Sequence, residues 1–350
     1  MTKSFLTALG LASIAVVWSS SSPGAEQGGE QTGSTSQAII SGTTSPSSHD
    51  SVVLLIHAED ANHFSVCSGT LIAPNIVVTA RHCVSQTTAG AFACDKNGNL
   101  SSDSSGGTIG ADFVPSDITI FVGSPRPDVE NAASHAQPNA VGKQIFHDDG
   151  TVICSHDLGV ILLDRPISGA VIAPIRLDPP TNKGETFTAV GWGVSLDSDF
   201  PKQRQERSGI VIKEVGPFDG NSVDDVVPPN DFLVGESTCS GDSGGPALSD
   251  SSGAVIGVVS RGGNGKDDSQ NASAGCIDAS NDYTQTAPFK TIIQQAFNES
   301  GGYSPVVEVR NSSGDSGGCT IGPVGSRSTP GAAALVALGM AVVAVRRRRR

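Results

Sequence analysis

Apolar residues fall in short clusters through most of the chain. Residues 52–56, 76–79, 118–122, 158–163, 210–215 and 255–260 are rich in Val, Ile, Leu or Thr, and clusters of Gly, Pro, Asn and Asp separate them. Repeated short runs of β-branched residues between turn signals predict an all-β sandwich or barrel rather than βαβ units. The pattern changes near residue 290. Phe289, Ile292, Ile293 and Phe297 recur at i, i+3, i+4 and i+8, which predicts one amphipathic helix closing the folded region. Residues 85–115 carry many Gly, Ser, Asp and Asn and predict a long surface insertion.

Two longer apolar stretches belong to the ends. Residues 5–18 lie between Lys3 and a small-residue exit, Ser-Pro-Gly-Ala at 22–25, the layout of a secretory signal peptide over residues 1–25. Residues 331–345 are uninterrupted apolar sequence, and Arg346 to Arg350 follow. That stretch is shorter than the roughly 20 residues of a full membrane span, but the arginines would hold its end on the cytoplasmic side. Residues 299–330 are read as a Gly/Ser-rich linker to this 331–350 segment.

Composition sharpens the picture. The chain has 350 residues, ample for a core, with 16% charged residues, 42 glycines and 20 prolines. Low charge and many turn formers disfavour helical bundles and coiled coils. The formal net charge is −13, and the cations of the two ends mask part of the acidity of the body. An acidic body gains nothing from phosphate neutralisation, so no nucleic-acid partner is expected. Seven cysteines leave at least one without an internal partner, and export would favour pairing of the rest.

Three segments carry chemistry. Thr238 to Pro246 reads Thr-Cys-Ser-Gly-Asp-Ser-Gly-Gly-Pro. A serine hydroxyl is a weak nucleophile that needs a base, and the oxyanion it creates needs preorganised donors. Glycines around Ser243 free the backbone to turn the N–H groups of Gly241 and Ser243 into one pocket, and Asp242 could hold the loop through a buried ion pair. Val77 to Cys83 reads Val-Val-Thr-Ala-Arg-His-Cys, which sets His82 just past an apolar strand and beside a tethering cysteine. Histidine titrates near neutral pH, as a base that returns its proton must. Ser155 to Leu163 opens a third apolar strand with Asp157, whose burial is costly unless it accepts hydrogen bonds; holding the tautomer of His82 would supply one. Asp157 could equally be a strand-capping residue, and His156 is read as its neighbour rather than a catalyst.

In the order His82, Asp157, Ser243 the segments resemble the chymotrypsin/trypsin-like serine endopeptidases, over about residues 39–298. Cys-Ser-Gly-Thr-Leu-Ile at 67–72, Gly-Trp-Gly at 191–193 and Val-Val-Ser at 258–260 with Gly262 resemble further segments of that family. The resemblance implies an all-β, trypsin-like double six-stranded β-barrel with a C-terminal helix and the cleft between barrels. It implies a triad of His82, Asp157 and Ser243, an oxyanion hole of Gly241 and Ser243, and substrate contacts at Ser237, Ser260 and Gly262. It implies bridges Cys67–Cys83 and Cys239–Cys276, which leave Cys94 and Cys154 to pair by elimination. No cofactor is implied, and nothing in the cysteine spacing suggests a zinc site.

Ile39-Ile40-Ser41-Gly42 resembles the family's activated N-terminus, which implies a propeptide over residues 26–38 and pairing of a freed Ile39 amine with Asp242. The third residue is Ser rather than Gly, and Ala38 is not basic, so the expected processing protease is not a trypsin. Ser237 stands at the base of the primary pocket without a carboxylate, Arg261 replaces the usual aromatic, and Asn281 stands where a wall glycine is common. An uncharged apolar or small side chain before the scissile bond is therefore expected.

Gly317-Gly318-Cys319, the spacer, the apolar stretch and the arginines resemble the MYXO-CTERM class of sorting tags. That implies sorting machinery as a partner, trimming near Cys319, and delivery to the cell surface or beyond; a retained anchor is the other reading. Gly314 to Gly318 repeats the serine pentapeptide but lacks the proline and any flanking strand, so Ser316 is read as non-catalytic. The expected protein is a monomeric secreted endopeptidase acting on proteins or peptides. The competing reading is an inactive protease-fold binding protein.

Overall fold

The computed structural model describes residues 39–58, 64–128, 136–193, 201–222, 225–266 and 273–309. The expected signal peptide, propeptide, Cys319, the 314–318 repeat and the 331–350 segment lie outside these residues.

Apolar residues on alternate positions of the first half face different partners, and this explains its near-continuous apolar runs. Six antiparallel strands, β2 (Val52–Ala58), β3 (Phe64–Ala73), β4 (Ile76–Thr79), β7 (Ile118–Phe121), β8 (Ala140–Phe146) and β9 (Gly159–Leu163), form a closed barrel in the order β2-β3-β4-β9-β8-β7. Val53, Leu55, Leu71, Val77, Ile120 and Ile161 pack together in one core. Their neighbours Val52, Ile72, Ile76, Val78, Val160 and Leu162 pack in another, with Phe289, Ile293, Ala296 and Phe297 of the C-terminal segment. Strands buried on both faces lose the alternation of half-exposed ones. Between β4 and β7 the insertion forms a small sheet of β5 (Ser85–Thr87) and β6 (Ile109–Asp112).

The second half forms an eight-stranded sheet. Its members are β1 (Thr43–Thr44), β10 (Thr186–Gly191), β11 (Gln205–Val211), β12 (Glu214–Val215), β13 (Asp231–Val234), β14 (Pro246–Ser249), β15 (Val255–Gly263) and β16 (Ser280–Gln285), ordered β1-β11-β10-β14-β15-β16-β13-β12. The expected single strand over 210–215 is broken at Ile212 and Lys213. Its first part, β11, pairs with β10 and with the edge strand β1, and its second, β12, pairs with β13 at the other edge, so one stretch of backbone runs between the two sides of a half-barrel. Phe187, Phe232, Ile256 and Tyr283 fill its concave side. Helix α1 (Lys290–Glu299) buries Ile293, Ala296 and Phe297, close to the predicted stripe.

The chain does not leave the fold where α1 ends. Ile175 donates to the carbonyl of Val306 at 2.8 Å, and Glu308 donates back to Ile175 at 3.0 Å. The Glu308 carboxylate accepts from Nη2 of fully buried Arg176 at 2.8 Å and also from its Nε. Composition marks residues 299–309 as linker; the unmet charge of Arg176 keeps them docked. Among the described residues no helix is long and apolar enough to cross a membrane.

Candidate active site

Strand register brings His82 to Asp157. Thr79 at the end of β4 pairs with Gly159 at the start of β9, so the turn after one strand meets the residues before the other. His82 lies in that turn, at Arg81–Cys83, and the Cys83–Cys67 disulfide ties it to β3. The His82 backbone N–H donates to Asp157 Oδ1 at 2.9 Å, and Nδ1 lies 2.8 Å from Oδ2. Ser260 Oγ donates to the same Oδ2 at 2.7 Å. Asp157 is fully buried. Burial favours its neutral form, but attraction to His82 and the bonds from His82 and Ser260 outweigh that and hold it below the usual carboxylate value. Burial likewise opposes charge on His82, yet Asp157 holds its pKa above the ordinary 6.5. With Nδ1–H committed to Asp157, Nε2 is the free basic nitrogen.

Arg81 anchors the turn from the other side, donating to Ser85 Oγ at 2.9 Å and to the Asp148 carbonyl at 2.8 Å. His156 is paired with Asp148, Nδ1 to Oδ2 at 2.6 Å, and takes no part in the His82–Asp157 contact.

The serine segment is a tight turn built where side chains have no room. Asp242 N–H donates to the Cys239 carbonyl at 3.0 Å, and Gly245 N–H to the Asp242 carbonyl at 2.8 Å, with Gly241 and Ser243 on either side of Asp242. At Gly244, φ is +75°, and a Cβ would lie 2.0 Å from Thr79 Oγ1. The Ser243 carbonyl accepts from Ser68 N–H at 2.8 Å and lies 3.6 Å from Cys83 Sγ, next to His82. The Asp242 carboxylate is fully buried and is pushed up to about 7 by desolvation, against hydrogen bonds from the N–H groups of Cys239, Gly193 and Ile39. Ile39 is fully buried too, at a φ of +54°.

A cavity of about 170 Å³ opens beside Ser243, lined among others by Thr238, Ser260, Gly262 and Asn281. Asn281 Oδ1 accepts from Thr238 Oγ1 at 2.8 Å, and a Cβ on Gly262 would lie 2.5 Å from that oxygen. Ser237 is not among the residues lining the cavity: it is fully buried next to Thr238, with its Oγ 3.3 Å from the hydroxyl of Tyr283. The disulfides are Cys67–Cys83, Cys94–Cys154 and Cys239–Cys276; the second ties the insertion to the segment carrying Asp157, and the third borders the cavity. Cys67, His82 and Cys83 cluster closely, but the disulfide leaves no thiolate for a metal. Sequence reasoning passes over Asp231, a fully buried carboxylate on β13 that accepts from Arg261 Nη1 at 2.8 Å. No local motif marks it, because its partner lies on another strand.

A closed β-barrel beside a curled β half-barrel, with the site where their loops meet, is the architecture of trypsin-like serine peptidases. Residues 39–286 match the trypsin family, and the chain belongs to that family. It is similar to brachyurin from Leptuca pugilator, 26% identical over 217 residues, covering 60% of this chain and 77% of that one. Trypsin from Saccharopolyspora erythraea is 27% identical over 208 residues, 56% and 75% of the two chains. CLIP domain-containing serine protease B10 from Anopheles gambiae is 28% identical over 200 residues, 52% of this chain and only 50% of the mosquito protein.

Proposed function

We propose that the protein is a secreted serine endopeptidase made as a zymogen. The His82–Asp157 pair beside Ser243 carries this reading: a buried, ionised carboxylate aligns one imidazole nitrogen and leaves the other as a base. In this mechanism His82 Nε2 takes the proton of Ser243 Oγ as that oxygen attacks the peptide carbonyl. The N–H groups of Gly241 and Ser243 receive the oxyanion, and His82 protonates the leaving amine. Water then hydrolyses the acyl-enzyme with the same base. The peptide lies against Ser260 and Gly262, and the Asn281 wall, with uncharged Ser237 buried behind the lining residue Thr238, favours small or apolar side chains before the scissile bond.

Cleavage before Ile39 would activate the site. The freed ammonium would face a buried carboxylate whose partners among the described residues are N–H groups, and cleavage would release a β-branched residue from a positive φ. Asp242 would then fix the turn that aims the oxyanion donors. Entry through the 1–25 signal peptide places the three disulfides in an oxidising compartment, and the Cys319 tail would be read by sorting machinery at the cell surface. A serine-reactive phosphonate tests the catalytic reading. Labelling of protein cut before Ile39, absent from Ser243→Ala, is the expected result; no labelling of the cut protein overturns it in favour of a binding protein.

A further inference from the structure

One buried charge pair that the mechanism does not use adjoins the site. Asp231 has no solvent exposure, and burying a carboxylate is costly without partners. Thr284 Oγ1 donates to its Oδ1 at 3.0 Å and Arg261 Nη1 to its Oδ2 at 2.8 Å. Arg261 also lies 3.4 Å, through Nη2, from Asp282. The guanidinium is thus held against the sheet by carboxylates on two strands, at the edge of the cavity beside Ser243 that Arg261 also lines.

The strand pairing explains how two neighbouring side chains both reach inward. Between Val259 and Arg261 the register with β16 shifts: Val259 faces Tyr283 and Arg261 faces Asp282, so Ser260 is the extra residue of a bulge. A bulge re-aims side chains that would otherwise alternate across the sheet. Here Ser260 reaches Asp157 while Arg261 reaches Asp231, and Arg261 Nη1 stays 3.4 Å from Ser260 Oγ. A guanidinium only donates, so Ser260 Oγ accepts from it, and its single hydrogen is left for Asp157 Oδ2. The order is Asp231, Arg261, Ser260, Asp157, His82: a cation lies between two buried carboxylates that would otherwise repel.

We propose that Arg261, seated on Asp231, is a positioning residue of the site: it fixes the Ser260 hydroxyl as a donor to Asp157 Oδ2 and thereby holds the Asp157–His82 contact. This rests on the triad reading above. The test uses protein cut before Ile39 and a substrate with a single residue before the scissile bond, which keeps upstream substrate residues off Arg261. Arg261→Met is compared with Arg261→Met/Asp231→Leu, which leaves no stranded carboxylate, and with the same Arg261 change in a Ser260→Ala background. The expected result is a kcat loss of about tenfold in the double variant with KM nearly unchanged, the size of a lost hydrogen bond within a charged network. The downfield proton resonance of His82 Nδ1–H moves or broadens in parallel. In the Ser260→Ala background Arg261→Met costs almost nothing further. A full additional loss in that background, a loss confined to KM, or an unmoved resonance with unchanged kcat overturns the proposal. Absence of Ser243-dependent turnover in the unsubstituted protein would instead sink the triad reading, and the resonance would still decide whether Arg261 acts on Asp157.

Discussion

The backbone N–H of Gly193 lies 2.7 Å from Asp242 Oδ1, in a space that admits no side chain: a Cβ on Gly193 would be 2.5 Å from Asp242 Cγ. The Gly-Trp-Gly segment therefore does a second job beyond strand ending. It lets a carboxylate be buried against bare backbone, with N–H groups as its partners among the described residues.

Burial of that carboxyl makes stability depend on pH in the uncut chain. The carboxyl of Asp242 is pushed from 3.8 to about 7, so between those values the unfolded chain has lost a proton that the folded chain keeps. Stability contributed by the neutral acid is present below 3.8 and falls as pH rises toward 7. Cutting before Ile39 supplies an ammonium and should remove most of this fall. Denaturant midpoints at pH 5 and pH 8, before and after the cut, would measure it; parallel behaviour of the two forms contradicts the assignment.

The activity profile follows from the opposite kind of shift. His82 must be neutral to accept a proton, and its pKa is held above 6.5 by Asp157. The acidic limb of kcat/KM should therefore have its midpoint above 6.5, with activity rising through it. Asp157→Asn removes the attraction, so the midpoint should fall, while kcat drops by about 10³–10⁴ as the tautomer is lost. A limb that stays in place in Asp157→Asn would separate His82 from the observed titration.

The segments bearing His82, Asp157 and Ser243 were legible because each is contiguous and bracketed by glycines or apolar strand residues. Strands with fully apolar runs, such as β2 and β9, were legible for the same reason. β16 was not: Ser-Asn-Asp-Tyr-Thr-Gln has no apolar signature, and it is a strand because it pairs with β13 and β15, its polar Thr284 satisfied by buried Asp231 on β13. The partners of Asp231 and Arg176 were equally invisible, since Arg261 and Glu308 reach them only through folded strand pairing.

Pocket depth should respond to one side chain. Asn281 is held against the cavity by Thr238, and its oxygen sits beside Gly262. Asn281→Gly should raise kcat/KM for bulky apolar side chains relative to alanine by about tenfold, the scale set by one or two buried methylenes. Ser237→Asp should admit Lys or Arg at the same position by placing a carboxylate behind the lining residue Thr238. Substrate panels varying only the residue before the scissile bond would show both changes; an unchanged preference in both variants would remove this cavity from substrate selection.

The docked C-terminal segment should be required for stability. Arg176 is fully buried, and desolvation disfavours its charge; Glu308 and Glu185 offset that and leave its pKa raised. Glu185 lies 2.6 Å from Nη1, while Glu308 takes Nε and Nη2. Glu308→Ala leaves Nε and Nη2 of the buried guanidinium without their carboxylate, with Glu185 still on Nη1, and should cost about 3 kcal/mol in denaturant unfolding, the low end for breaking a buried pair. Arg176→Met/Glu308→Leu removes both charges and should recover most of that loss, because the desolvation penalty disappears with the attraction. Glu185, partly exposed, can turn to water and needs no compensation. If Glu308→Ala unfolds like the unsubstituted chain, residues 300–309 contribute no anchoring and the chain effectively leaves the fold at the end of α1.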